Sequence, residues 1–177
     1  MAKSQWTVDP THSSIDFSVK HMMIAKVKGS FHAFEANVVA DAHDLTSAEI
    51  QLTIDLNSVD TRNKDRDAHL RNPDFFDTEK YPSLVFTSTA ITKTDDGEYS
   101  VIGDVSLHGV TRSEKFAVNF EGAGKDPWGN EKVGFSASGS LKRSDYGLTY
   151  NAALETGGVL IGDEVKFTID IEAIQQG

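Results

Sequence analysis

Apolar residues recur at every second position along most of this chain, a period that belongs to a strand with one buried face rather than to a helix. The cleanest run is Ala48, Ile50, Leu52, Ile54 and Leu56. Ile15, Phe17 and Val19 alternate with Ser14, Asp16 and Ser18 in the same way. The period returns after Leu84 and again in Tyr99–Leu107, Phe116–Phe120, Val133–Leu141 and Val165–Ile171. About eight strands follow, with none of the alternating helices that a parallel sheet needs. Antiparallel strands that each carry one apolar face are best satisfied when the sheet closes on itself, which also removes its edges. The predicted fold class is therefore all-β: an eight-stranded antiparallel barrel with short helical insertions, one domain over residues 1–177. A two-sheet sandwich is the competing architecture.

Several local features are expected within this frame. The apolar parity shifts at Ala33-Phe34 inside Lys26–Val39, which predicts a bulge. Asp95-Asp96-Gly97 predicts a type I′ hairpin. Asp41–Ser47 reads as a turn, and Gly122–Asn130 as a loop with Trp128 at its tip. A second irregular section, Asp145–Gly162, suggests a helical turn over Asn151–Glu155 and a hinge at Gly157-Gly158.

The longest break in the alternation is Asn57–Phe86. Pro73 and Pro82 each remove a ladder donor, so no strand runs through it. If residues 62–70 are helical, with Asp60 or Thr61 as N-cap, then Arg62, Arg66 and His69 share one stripe at i, i+4 and i+7. Such a stripe would receive an anionic headgroup. Asp65 and Asp67 offer internal ion pairing instead, for Arg66 in particular. Phe75-Phe76 would pack on the barrel or line its mouth.

Composition narrows the function classes. Seventeen Lys and Arg stand against 27 Asp and Glu, a formal charge of −10. That sign excludes the cationic footprint of a nucleic-acid binder and disfavours attachment to an anionic membrane. No apolar run approaches the roughly 18 residues of a spanning helix, so stable membrane insertion is not expected. MAKSQWTVDP carries no apolar h-region, so a cytoplasmic location is expected. The chain has no cysteine, which excludes disulfides and thiolate metal sites.

Chemistry is sparsely marked. There is no G-x-S-x-G elbow and no phosphate-binding G-x-x-x-x-G-K-[ST]. The six histidines, His12, His21, His32, His43, His69 and His108, lack metal-site spacing. A metal-dependent enzyme using His12, His69 or His108 with Asp67 is the alternative reading, and an interaction protein with a packed core is a third. No catalytic residue, cofactor or metal is assigned. Eight phenylalanines (Phe17, Phe31, Phe34, Phe86, Phe116, Phe120, Phe135 and Phe167) are spread over six of these strands. They can fill a small barrel or line a tunnel, and the pattern alone favours filling.

Five stretches carry a family resemblance: WTVDPTHSSIDFSVKH from Trp6, KVKGSF from Lys26, SVDTRNKDRDAHLRNPDFFDTEKYPSLVFTS from Ser58, GDVSLHGVT from Gly103 and LKRSDYGL from Leu141. Together they resemble the YceI-like family of lipocalin-shaped polyisoprenoid-binding proteins. The resemblance implies a lipocalin-like barrel, no enzymatic activity, and a homodimer. It also implies a hydrophobic tunnel that carries or stores a long-chain isoprenoid lipid, of the isoprenoid quinone or polyprenyl phosphate class. The expected tunnel residues are Phe17, Val19, Met23, Phe31 and Phe34 from the first strands and Leu52 and Ile54 from the third. Phe75 and Phe76 come from the central break, and Phe86, Phe116 and Phe135 from later strands. Arg62, Arg66 and His69 are the expected headgroup residues.

Overall fold

The structure, a computed structural model, describes residues 3–41, 44–152, 154 and 159–176. Its strands are β1 (Ser4–Val8), β2 (Ser14–His21), β3 (Ala25–Phe31), β4 (Phe34–Asp41), β5 (Asp44–Asp55) and β6 (Val59–Asp60). After helix α1 (Lys64–Arg71) come β7 (Ser83–Asp95), β8 (Glu98–Leu107), β9 (Val110–Lys125), β10 (Glu131–Lys142) and β11 (Ile161–Gln175). The circuit runs β1-β4-β5-β7-β8-β9-β10-β11, and β11 pairs back onto β1, closing an eight-stranded antiparallel barrel. β2, β3 and β6 branch from this ring.

The branch follows from two broken staves. β11 pairs with β2 over its first part and with β1 only at its end, through Ala173, Ile174 and Gln175. β1 and β2 thus form one stave, interrupted at Asp9–Ser13, where Asp9 accepts from Thr11 N at 3.0 Å and caps a 3₁₀ turn at Pro10–His12. β3 and β4 form the next stave. At His32-Ala33 the chain leaves β2 and joins β1 and β5. The parity shift at Ala33-Phe34 is therefore a corner between two strands and not a bulge within one, because the chain changes pairing partners there.

The hairpins correct a second expectation. At Asp95-Asp96-Gly97 only Gly97 has positive φ (72°), and the register slips between Lys93 and Asp95. That is a bulged hairpin rather than a type I′ turn. Positive φ at both central residues occurs instead at His108 (55°) and Gly109 (76°), joining β8 directly to β9. β5 begins at Asp44, so the turn expected over Asp41–Ser47 is shorter than its pattern implied. Trp128 does sit at the tip of the β9–β10 loop, 83% exposed. His43 and the Gly157-Gly158 hinge lie outside the described residues, as does part of the helical turn expected over Asn151–Glu155.

The interior divides in two. Trp6, Ala40, Val133 and Ala173 form a compact cluster where the ring closes. The larger cluster includes Ile15, Phe31, Ile54, Leu56, Val105 and Tyr146 and extends toward the β2–β3 end.

Candidate functional site

Inside the larger cluster the barrel is hollow, with a cavity of about 600 Å³ whose wall is almost entirely apolar. It runs from Leu45, Ala48 and Phe135, beneath the Trp6 cluster, to Lys20, Arg66, Lys142 and Tyr150 at the opposite end. Those last four residues are exposed, so the cavity reaches solvent among them.

Glycine explains how a phenylalanine-rich barrel stays empty. Phe17 lies across Gly29 of the paired strand, and Phe167 across Gly139. A Cβ on Gly29 would come 2.5 Å from Phe17 Cζ, and one on Gly139 would come 2.9 Å from Phe167 Cζ. A third such contact sets Gly103 against Phe86. With no side chain beneath them these rings fold onto the sheet instead of toward the axis. The rings then meet along the wall, Phe17–Phe31 at 5.3 Å and Phe116–Phe167 at 5.1 Å between centroids, separations usual for favourable aromatic pairs.

Most of the expected tunnel residues stand on this wall. Phe17 and Val19 reach it from β2, Phe31 from β3, and Leu52 and Ile54 from β5. Phe75 and Phe76 reach it from the segment after α1, and Phe86, Phe116 and Phe135 from β7, β9 and β10. Two residues stand elsewhere. Met23 lies at the tip of the β2–β3 hairpin with φ 63° and is 53% exposed. Phe34 starts β4 just past the corner and packs, half-buried, against the main cluster without lining the cavity.

The cationic stripe is shorter than its spacing suggested. The N-cap of α1 is Asn63, whose Oδ1 accepts from Arg66 N at 3.0 Å, not Asp60 or Thr61. Arg62 precedes the helix with φ 64°, its N–H donating to Asp60 at 2.8 Å. It therefore leaves the stripe, while Arg66 and His69 line the cavity. Arg66 donates to Thr61, Nε to Oγ1 at 2.8 Å and Nη2 to the carbonyl at 2.7 Å. Asp67 also bonds Thr61, accepting from its backbone N at 2.8 Å. The acids near Arg66 thus leave its guanidinium to Thr61 rather than pairing with it. His69 bonds Asp74 at 2.9 Å and meets the rings of Phe75 at 4.9 Å and Tyr150 at 5.0 Å.

The second irregular section supplies wall residues that the alternation did not reveal. Arg143 is buried and lines the cavity. Its guanidinium donates to the carbonyls of Leu148 (2.8 Å), Gly162 (2.9 Å), Tyr150 (3.3 Å) and Ile161 (3.4 Å). Burial lowers its pKa, partly offset by Asp163. Tyr146 is fully buried, and its hydroxyl donates to Glu114 at 2.5 Å. Burial first, then that bond, pushes the phenol up. The local signal is Gly147, which ends the 3₁₀ turn at Arg143–Tyr146 with φ 73°. It turns Leu148 back against the barrel.

Among the described residues the histidines do not converge. His32 bonds Asp60, His69 bonds Asp74, and His108 Nδ1 approaches Tyr146 O at 3.0 Å. Asp67 is engaged by Thr61, so the set proposed for a metal-dependent enzyme is dispersed. Among the described residues one group, Asp9, His12 and Glu172, brings three possible ligand atoms together. Lys132 Nζ already stands 3.7 Å from Asp9 and 3.5 Å from Glu172 and supplies the positive charge there.

Comparison with known proteins agrees with this geometry. The model of the YceI-like domain matches residues 6–173. A UPF0312 protein of Staphylococcus epidermidis is 42% identical over 170 residues, 96% of each chain, and one of Staphylococcus aureus is 39% identical over the same span. Among solved structures, Burkholderia cenocepacia BcnA superposes with a TM-score of 0.82 at 25% identity, covering 93% of this chain and 98% of that one. The Campylobacter jejuni YceI protein gives 0.76 at 31% identity, with 89% and 90% covered. A domain from Saccharophagus degradans, described as polyisoprenoid-binding, shares the fold at 0.71 and 18% identity, over 97% and 98%. With that match spanning nearly its whole length, the chain belongs to the YceI-like family.

Proposed function

We propose that this protein binds, and carries or stores, a long-chain isoprenoid lipid in the barrel cavity, without catalysing a reaction on it. The observation that carries this reading is the apolar cavity of about 600 Å³ itself. A water-sized group takes about 30 Å³ of liquid, so this space holds at least roughly twenty methylene-sized groups, or about four isoprene units. Each buried CH₂ contributes about 0.8 kcal/mol, hence on the order of 4 kcal/mol for a five-carbon unit before the costs of ordering and association. A few units therefore suffice for tight binding. The headgroup then selects more than it holds, with Arg66 and His69 at the mouth to meet an isoprenoid quinone or a polyprenyl phosphate. Family membership and the isoprenoid ligand attributed to the Saccharophagus domain support this reading. Cytoplasmic residence and a homodimer belong to it as well, to be tested by fractionation and analytical ultracentrifugation.

The test is native mass spectrometry of gently purified protein, followed by organic extraction. An added mass that extracts as a prenyl lipid is the expected result. An apo mass alone, together with a melting temperature that added prenyl lipids leave unchanged, would reject the proposal.

A further inference from the structure

The β2–β3 hairpin ends in three consecutive exposed apolar residues, Met22 (43%), Met23 (53%) and Ile24 (84%). Met22 and Met23 hold φ of 54° and 63°, a left-handed backbone that glycine or asparagine adopts at lower cost. Bulky apolar side chains kept in a strained turn and pointed at water call for an explanation beyond folding. The hairpin stands beside the cavity mouth: its base residues Lys20 and His21 line the cavity, and Met22 N donates to Leu160 O, another wall residue, at 2.7 Å.

The outer sheet face next to this tip carries a cluster of lysines, in a chain whose net charge is −10. Lys20 pairs directly with Lys26 across β2 and β3. Ser18 stands between Lys28 on β3 and Lys166 on β11, and Lys142 on β10 pairs with Glu164. All five lysines are exposed, and among the described residues none lies in an ion pair. Like charges directly opposite each other weaken a sheet, so the Lys20–Lys26 pair is not there for the barrel's sake. The acids close by are Glu164, Asp163 and Asp16, three against five lysines; Asp163 is held by Ser144 through N at 2.9 Å and Oγ at 2.8 Å, and Asp16 accepts from Ser30 Oγ at 2.6 Å. The patch therefore remains cationic. At physiological salt the screening length is about 8 Å, so the distant acidic surface does not cancel it.

We infer that the Met22-Met23-Ile24 tip and its lysine patch dock on an anionic lipid bilayer. On the reading proposed above, the cavity exchanges its hydrocarbon through this contact. The apolar tip enters the headgroup region, the lysines meet anionic headgroups, and the mouth faces the membrane. The contact is peripheral and reversible. Net charge argued against it because the sum over the chain hides where the charges sit.

The full chain is tested by co-sedimentation with phosphatidylcholine vesicles that contain phosphatidylglycerol, against phosphatidylcholine alone. Binding to the anionic vesicles only, released by salt, is the expected result. The double variant Lys26→Glu with Lys28→Glu should weaken it about tenfold or more, as should Met23→Ser with Ile24→Ser, whereas Lys125→Glu at the other end should not. Equal binding to both vesicles, binding to neither, or equal sensitivity to Lys125→Glu overturns the inference. So does a dimer that Met23→Ser with Ile24→Ser dissolves in the absence of vesicle binding, which would assign the tip to a second copy. Native mass spectrometry of the Lys26→Glu, Lys28→Glu variant separates the two readings. Cargo retained by a variant that no longer docks upholds both, and docking by a wild-type chain that never carries lipid leaves the inference standing while removing the cavity reading.

Discussion

The two ends of the barrel share most of their strands and have opposite interiors. Where β11 pairs with β1, Trp6, Ala40, Val133 and Ala173 fill the lumen, and Trp6 Nε1 donates to Ala40 O at 3.4 Å. Where β11 pairs with β2, the lumen stays open. The break at Asp9–Ser13 separates the two regimes. A closed ring of strands does not decide whether its inside is full. That depends on whether large side chains point at the axis, as Trp6 does, or lie flat over glycine, as Phe17 and Phe167 do.

This contrast predicts unequal costs of truncation. Trp6→Ala should destabilise by about 3–5 kcal/mol, as expected for a large side chain removed from a packed site. Leu52→Ala, on a wall that already faces empty space, forfeits fewer contacts and should cost less than about 2 kcal/mol. Chemical denaturation of both variants checks the comparison, and equal losses would break it.

Arg143 offers the next largest effect. Arg143→Leu strips donors from four carbonyls and should cost about 2–4 kcal/mol. Arg143→Lys should rescue little of this, since an ammonium lacks the guanidinium fork. A thermal melt of each reads the result, and full rescue by lysine would show that charge alone matters there.

Gly139→Val sharpens the comparison from inside the lumen. Its new side chain meets Phe167 and Phe116, with Cβ 3.0 Å from Phe116 Cδ1, and no backbone atom is among its nearest contacts. The rings should tilt toward the axis at a cost of about 1–3 kcal/mol. Bound hydrocarbon should fall while the chain still folds, as followed by native mass spectrometry and circular dichroism.

The smallest effect is electrostatic and belongs to the plugged end. Hydrogen bonds from Thr11 and then His12 hold the Asp9 carboxyl low, while Asp9 and then Glu172 raise His12. The His12 contribution is complete below its unfolded pKa of about 6.5 and is lost as pH rises through the higher folded value. The Asp9 contribution is complete above its unfolded pKa of about 3.9 and is lost as pH falls through the depressed folded value. Stability attached to this junction should therefore peak between about pH 4 and 6.5. In His12→Ala the loss above that window should disappear from the pH profile of the melting temperature.

The strands, the barrel and most of its wall were legible in two-residue alternation, because a half-buried strand must alternate. Phe17, Leu52, Phe86 and Phe135 follow that rule directly. Residues where the backbone turns were not legible. Arg62 left its stripe through a left-handed φ that spacing does not encode, Met23 stood in a turn where alternation had stopped, and Phe34 followed a corner that mimics a bulge. Arg143, Tyr146 and Leu148 belong to an aperiodic segment placed by hydrogen bonds and by Gly147. Hollowness was invisible for a different reason: a phenylalanine over glycine and a phenylalanine facing the axis give the same pattern along a single strand.

The central claim is that the open end encloses space for a hydrocarbon tail. A series of prenyl alcohols lengthened one unit at a time, with affinity measured for each by calorimetry, tests it most directly. The account predicts that affinity climbs steeply with each added unit and levels off once the cavity is full, near four units or somewhat beyond. Affinity that does not depend on tail length would contradict it.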